Sequence, residues 1–129
     1  MTRAEYCQAT TMEHMVQLID NSALVRPGQA TRTLKFEGEP YGAGASFFYV
    51  DNDPGQGTSL HWHPYSETWV VVGGRVLFVV DGEELEATVD AIASIPPETP
   101  HKFTNIGDGP LRMLCIHASP RIIQYELEE

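Results

Sequence analysis

Glycine and proline recur about every ten residues along this chain, and the segments between them are short and rich in Val, Ile, Phe, Tyr and Thr. Turn-forming pairs such as Gly73-Gly74 and Asp81-Gly82 separate several of these segments. Outside residues 10–19, apolar residues do not keep the three- and four-residue spacing of a helix for long. The pattern therefore predicts an all-β sandwich or barrel of short strands.

The predicted strands are the segments richest in β-branched and aromatic residues. They cover residues 16–19, 31–36, 45–50, 59–63, 67–72, 75–80, 84–88, 91–95, 101–105 and 111–117. The first strand has a competitor, because Thr10 and Glu13 fit a capping box and residues 12–19 contain an apolar stripe at helical spacing. A short N-terminal helix is the alternative there.

A length of 129 residues suits one domain with its own core. Hydrophobic residues make up 42% of the chain and charged residues 20%, which is ordinary for a globular protein. We expect an N-terminal extension at residues 1–15, a β-barrel domain at 16–125 and an acidic tail at 126–129.

The charge balance argues against nucleic acid as a partner. Eighteen acidic and eight basic residues give a net charge of −10, and no basic patch is present to follow a phosphate backbone. No apolar run approaches the ~20 residues of a membrane-spanning helix, and residues 1–11 lack the apolar stretch of a secretory signal. We expect a cytoplasmic protein with no membrane partner. Cys7 and Cys115 do not form a disulfide framework, and Cys115 is predicted to be a buried apolar residue.

A cluster of metal-ligand residues is concentrated around residues 61–67. Side chains alternate across a strand, so His61 and His63 share one face. A turn after Pro64 would let Glu67 open a new strand, and His101 opens another further along the chain. Three imidazoles and one carboxylate suit iron, manganese, nickel, copper or zinc, and four protein ligands leave positions for water or substrate. One divalent metal ion per chain is the predicted cofactor.

The spacing of these residues resembles the motifs of the cupin superfamily. The series Gly55-x5-His61-x-His63-x3-Glu67-x6-Gly74 matches the complete first cupin motif. The second motif reads glycine, five residues, proline, one residue, glycine, two residues, histidine, three residues, asparagine. At those places this chain has Asp90, Pro96, Glu98, His101 and Asn105, so that both motif glycines are replaced.

The resemblance implies an antiparallel β-barrel, also described as a double-stranded β-helix or jelly roll, and a homodimer. The apolar segment 76–80 agrees with a dimer, because a strand that is apolar on both faces needs cover on both. A second sheet of the same barrel is the other source of cover. In the quercetin-dioxygenase branch, which the chain is similar to, the residue matching Glu67 both ligates the metal and takes a proton from the substrate. Glu67 is therefore the candidate catalytic residue.

Five further residues are candidates for contact with a substrate. If the face of Arg32 is interior, its guanidinium would bind a substrate carboxylate, although a surface position is favoured because buried arginine is rare without a partner. His117 would serve as a proton-transfer group or as an edge residue, and the sequence does not separate the two. Tyr49, Trp69 and Phe103 are candidates for an aromatic wall or for simple core.

Two classes of function remain open at this point. The first is a metal-dependent enzyme acting on a small organic molecule, most simply a dioxygenase-type oxidoreductase, with a non-redox isomerase, lyase or cyclase as the alternative. The second is a module that binds a small ligand without converting it.

Overall fold

The computed structural model describes residues 16–26, 28–29 and 31–129. These residues form ten β-strands, together with two short 3-10 helices at Asn21–Leu24 and Glu39–Tyr41. The strands are β1 Leu34–Phe36, β2 Ser46–Asn52, β3 His61–Trp62, β4 Glu67–Gly73, β5 Arg75–Val80, β6 Glu83–Thr88, β7 Ile92–Ile95, β8 His101–Asn105, β9 Leu111–His117 and β10 Tyr125–Glu126. Neither helix in this part of the chain is long and apolar enough to cross a membrane.

The strands assemble into two five-stranded sheets. One sheet has the order β1-β2-β9-β4-β7 and the other β10-β3-β8-β5-β6. Each hydrogen-bonded pair of strands is antiparallel. Neighbours such as β9 and β4 are distant in sequence, so the chain crosses repeatedly between the sheets, as in a jelly roll. The predicted all-β antiparallel fold is confirmed.

Most predicted strands lie where the sequence placed them, and residues 75–80, 101–105 and 111–117 match β5, β8 and β9 at both ends. The predicted strand at residues 16–19 is wrong, because this segment pairs with no strand and leaves Val16 and Leu18 91% and 96% exposed. Residues 16–19 are not helical either, and the rest of the competing helix lies outside the described residues. β10 was not predicted, because two residues are too short to show a strand pattern.

Alternation along β4 and β9 divides the interior into an apolar core and a polar end. The register pairs Val71 with Met113 and Trp69 with Cys115, and all four are buried. One step further along the same ladder, Glu67 pairs with His117, and both are buried as well. The polar site therefore lies at one end of the core. Cys115 is a free, buried thiol, as predicted.

Segment 76–80 is covered mainly within the chain. Val76 and Phe78 are buried in the core, whereas Leu77 and Val79 on the opposite face of β5 are half-buried. The opposite sheet therefore provides the cover on the inner face, and the partly covered outer face does not decide the oligomeric state.

The two residues that replace the motif glycines adopt the backbone conformation that glycine favours. Asp90 has a φ of 74° and Glu98 a φ of 63°, both in the left-handed region. The turn before His101 therefore contains a left-handed residue even though Glu98 carries a side chain. The backbone N–H of Glu98 donates to the carbonyl of His63 at 2.7 Å. Gly74 is required more strictly, because a Cβ at its φ of 90° would lie 2.6 Å from the carbonyl oxygen of Pro110.

Asn105 ties the two motifs together. Its side chain donates to the carbonyls of Asn52 and Gly109 at 3.1 and 2.9 Å, and accepts from the backbone N–H of Gly107. Its own carbonyl accepts from the N–H of Gly55, the first glycine of the first motif. Asn105 thus holds together the segments at residues 52–55 and 107–109.

Candidate metal centre

The four candidate ligands come from both sheets and meet between them. His61 lies on β3, and His63 follows the end of that strand. His101 opens β8 directly opposite His61 in the strand register, and Glu67 opens β4 in the other sheet. All four residues are at least 96% buried. The alternation predicted for His61 and His63 therefore directs both rings to the interior.

The ligand atoms of His61, His63, Glu67 and His101 lie within 4.8 Å of one another, which fits a metal site. Oε1 of Glu67 lies 3.1 Å from Nε2 of His63 and 2.9 Å from Nε2 of His101. These three buried atoms, and Nε2 of His117 as well, have no hydrogen-bond partner among the described residues. Unpartnered polar atoms are costly in a protein interior, so this arrangement fits a site for a bound ion.

In His61, His63 and His101, the contact made by the outer ring nitrogen, Nδ1, determines which nitrogen carries the proton. Nδ1 of His61, His63 and His101 lies 2.6 to 2.7 Å from the carbonyl oxygens of Ser59, Ile123 and Thr99, respectively. A carbonyl accepts a hydrogen bond and cannot donate one, so each Nδ1 carries the proton in the neutral ring. Each Nε2 then points a lone pair inward. Two such lone pairs within about 3 Å of a carboxylate oxygen repel it unless a cation lies between them.

The electrostatics favour the forms that bind metal. Burial lowers the pKa of His61 to about 4, so the ring is neutral near pH 7. Burial alone would raise the pKa of Glu67, but an N–H turned toward it by His101, His117 or His63 in the metal-free protein outweighs burial and holds that pKa well below its usual range. His61 and Glu67 are thus a neutral imidazole and an ionised carboxylate, the forms that bind a divalent ion.

His117 differs from the other three histidines. Its Nδ1 lies 2.7 Å from the hydroxyl of Tyr65, which accepts a hydrogen bond from the backbone N–H of Ile123. Burial raises the pKa of Tyr65 to about 12, so the hydroxyl keeps its proton. Because this hydroxyl already accepts from Ile123, we assign its O–H as the donor to His117 Nδ1. The remaining proton of a neutral His117 is then on Nε2, which lies 3.3 Å from Oε2 of Glu67. His117 therefore presents an N–H to the carboxylate instead of a lone pair to a metal.

The indole of Trp69 holds the same carboxylate oxygen. Its Nε1–H donates to Oε2 of Glu67 at 2.8 Å. With Oε2 facing Trp69 and His117, Oε1 is the oxygen left for the cluster of Nε2 atoms. A ligand whose orientation is set by such outer contacts binds metal more tightly.

A cavity of about 360 Å³ opens onto this site. Its volume lies near the lower end for pockets that bind small molecules. His61 and Glu67 line it, together with three of the predicted substrate residues, Trp69, Phe103 and His117.

The other two predicted substrate residues lie elsewhere. Arg32 is at the surface, where its guanidinium pairs with Asp51 at 3.0 Å and Asp53 at 2.9 Å. Its position agrees with the favoured surface interpretation. Tyr49 is on the face of β2 opposite to Phe48 and Val50, which do line the cavity, so strand alternation turns its ring away.

Sequence reasoning missed Tyr65, Arg26 and Gln29. Tyr65 lies in the loop after Pro64 and shows no periodic signal. Arg26 and Gln29 line the cavity from the segment before β1, which precedes both motifs. The only local signal is the turn-forming pair Pro27-Gly28 between them in the sequence.

Comparison with known proteins connects these residues to a family. The family model described as a cupin domain matches residues 48–117, which contain the four ligand candidates and His117. Polyketide synthase CurC of Streptomyces cyaneus is 44% identical over 68 residues, which are 52% of this chain and 44% of that protein. An uncharacterised protein of Methanocaldococcus jannaschii is 42% identical over 67 residues, 51% of this chain and 54% of its own length.

A third relative covers more of the chain at lower identity. The tetracenomycin polyketide synthase protein TcmJ of Streptomyces glaucescens is 28% identical over 91 residues, 69% of this chain and 60% of that protein. The chain thus matches about half of the length of these curated relatives.

Solved structures of oxalate decarboxylases share the fold. The formate complex of the Lactobacillus farciminis enzyme superposes with a TM-score of 0.72 at 26% identity, over 82% of this chain and 34% of that one. The Bacillus subtilis enzyme, which has Mn(II) centres, gives a TM-score of 0.68 at 22% identity, over 78% of this chain and 29% of that one.

Proposed function

The chain belongs to the cupin domain family, and from this premise we propose that it is a metal-dependent enzyme acting on a small organic molecule. The observation that carries the proposal is the inward set of Nε2 atoms from His61, His63 and His101 around Oε1 of Glu67, with each outer Nδ1 held by a carbonyl. Three neutral donors and one anionic donor leave positions on an octahedral ion for a substrate.

When bound, a divalent ion would act as a Lewis acid toward a substrate carbonyl or would take part in reaction with O2. The protein residues supply orientation and exclusion of water. Trp69 fixes Oε2 of Glu67, and Phe103 and Trp69 form an apolar wall of the cavity. Glu67 acts mainly as a ligand in this proposal, because Oε1 faces the histidine Nε2 atoms while Oε2 accepts from Trp69.

The reaction class we favour is non-redox: isomerisation, cyclisation or cleavage next to a carbonyl. Two of the relatives are named as polyketide synthase proteins, and the structural neighbours are decarboxylases. Polyketides and oxalate both carry carbonyl groups, which a Lewis-acidic ion polarises.

A dioxygenase-type oxidation is the second candidate. It is supported by the resemblance of the first motif to the quercetin-dioxygenase branch and by the same set of three histidines and one glutamate. Glu67 would then take a proton from the substrate in addition to holding the metal, with Trp69 still donating to Oε2.

The test begins with elemental analysis of protein purified without added metal, with His63→Ala as the control. We expect close to one transition-metal ion per chain in the native protein and none in the variant. The loaded protein is then incubated with small β-dicarbonyl and flavonol compounds with and without O2. Conversion under strict anaerobiosis supports the non-redox reaction, whereas conversion that consumes O2 stoichiometrically supports the dioxygenase. A protein that neither contains nor takes up metal would overturn the proposal and leave a ligand-binding module.

A homodimer remains part of the proposal. Large apolar side chains on β4, β6, β7 and the turn before β7 are exposed, which supports their being covered by a second copy in solution. They are Val72, Leu85, Val89 and Ile92. Light scattering during size-exclusion chromatography would measure the mass directly.

A further inference from the structure

We propose that Arg26 is the anion-binding residue of the cavity, and that the substrate is a small organic carboxylate with an apolar body. The inference rests on the proposed function only in placing the substrate in this cavity. It is argued from the pairing of charges, the anchoring of the Arg26 side chain and the chemistry of the lining.

Among the described basic side chains, Arg26 differs from the others because it forms no ion pair with a described carboxylate. Of the eight basic side chains, seven fall within the described residues, and six of these have a carboxylate oxygen within 4.0 Å. Arg26 is the seventh, and no carboxylate of the described residues pairs with it. In a chain of net charge −10, a cation without such a partner is unusual. It lines the cavity that opens onto the candidate metal centre.

The side chain of Arg26 is nevertheless held in place. Its Nε–H donates to Oε1 of Gln29 at 2.9 Å. The amide nitrogen of Gln29 in turn donates to the carbonyls of Thr31 and Thr33 at 2.7 and 2.6 Å. Only one of the five guanidinium N–H groups is used in this contact, so the terminal fork is available for a bidentate partner such as a carboxylate.

An aromatic ring connects Arg26 to the site. The guanidinium carbon lies 5.6 Å from the ring centroid of Phe48, within the range of a cation–π contact. The centroid of Phe48 lies 5.6 Å from that of His117, whose Nε2 faces Glu67. A molecule bound by Arg26 and lying along Phe48 therefore extends toward the metal ligands.

The rest of the lining combines neutral polar side chains with apolar ones. Among the described residues, Glu67 is the sole carboxylate in the wall, so Arg26 and a divalent ion together would leave this part of the cavity positive. The wall also contains apolar side chains, which favour a ligand with a hydrocarbon or aromatic body. They are Phe48, Val50, Trp69, Phe103 and Cys115.

The test measures binding rather than turnover. Calorimetric titration of the metal-loaded protein with trans-cinnamate, its neutral analogue cinnamamide and oxalate separates the contributions of charge and apolar body. We expect cinnamate to bind more tightly than either of the other two. Arg26→Gln is expected to weaken cinnamate about tenfold or more and to leave cinnamamide unchanged, because only the charged contact is lost. Arg26→Lys should recover part of the affinity.

Arg32→Gln is the matched control, because Arg32 is exposed like Arg26 but already pairs with Asp51 and Asp53. It should bind cinnamate as the native protein does. Equal cinnamate affinity in Arg26→Gln and native protein would overturn the inference, as would cinnamate binding no better than cinnamamide or not binding at all. The metal content of every variant is measured in parallel. If the native protein binds no metal, the proposed function fails. The inference about Arg26 is tested separately, because the change in cinnamate affinity on Arg26→Gln is also measurable in metal-free protein.

Discussion

The indole of Trp69 donates a 2.8 Å hydrogen bond to the carboxylate of Glu67, two residues earlier on the same buried face of β4. One strand thus supplies both a candidate ligand and the group that orients it. Because the bond engages Oε2, Oε1 faces the histidine Nε2 atoms. The two-residue repeat of the strand therefore decides which carboxylate oxygen faces the ligand atoms.

Trp69→Phe is expected to weaken metal binding by about tenfold or more, since the ring is kept but the donor that orients Glu67 is lost. The affinity is measured by competition with a chromophoric chelator. Trp62→Phe is the control. The Trp62 ring points to the face of β3 opposite to His61 and stacks on Tyr125, with 4.5 Å between the ring centroids, so this variant should keep the native affinity. Equal affinities in Trp69→Phe and native protein would show that the hydrogen bond does not orient Glu67.

His63→Gln and His117→Gln are expected to differ, although both residues are buried beside Glu67. His63 offers a lone pair at Nε2, so its loss should abolish stoichiometric metal binding. His117 offers an N–H, so its variant should still hold about one ion per chain, with an affinity lower by about ten- to a hundredfold. Metal content after dialysis and chelator competition measure both effects. Equal loss of metal in the two variants would mean that His117 is a ligand.

Acid is expected to destabilise the metal-free protein. Burial lowers the pKa of His61 from 6.5 to about 4, so the unfolded chain binds more protons than the folded chain between these values. Stability from this residue therefore falls by up to about 3 kcal/mol as the pH drops from 6.5 through 4. Glu67 acts in the same direction, since its lowered pKa stabilises the fold above its ordinary pKa and that contribution is lost as the pH falls through the lowered value.

Urea unfolding of chelator-treated protein at several pH values between 4 and 7 measures this slope. The His61→Gln variant removes one titrating group and should show a shallower dependence on pH than the native protein. A native stability that is constant over this range would contradict the prediction.

Glu98→Gly is expected to stabilise the protein by about 0.5–1 kcal/mol. A left-handed φ of 63° costs a residue with a side chain roughly 1–2 kcal/mol, and this exceeds the extra chain entropy that glycine loses on folding. Thermal and urea unfolding measure the difference. Glu84→Gly is the control, because Glu84 is also exposed but lies within β6, where glycine should destabilise by a similar amount. A loss of stability in Glu98→Gly would show that its side chain makes a compensating contribution.

Local patterns predicted much of the fold and of the ligand set. Three strands were predicted with both ends correct, and the alternation of His61 and His63 agrees with their common burial. The segment at residues 16–19 was wrongly assigned to a strand, because apolar composition alone does not show whether a neighbouring strand is present to pair with it. The cytoplasmic location and the homodimer stay predictions.

The sequence by itself determined the β rhythm, the family and the ligand candidates, since side-chain alternation and motif spacing are properties of neighbouring residues. Only the tertiary structure decided the proton on each histidine, the orientation of Glu67 and the choice of Arg26 over Arg32 at the cavity. His63 is oriented by a carbonyl 60 residues away, and Tyr65 reaches His117 across 52 residues. Such partners meet because strands distant in sequence pair in the two sheets, and a contact of that kind has no local signature in the chain.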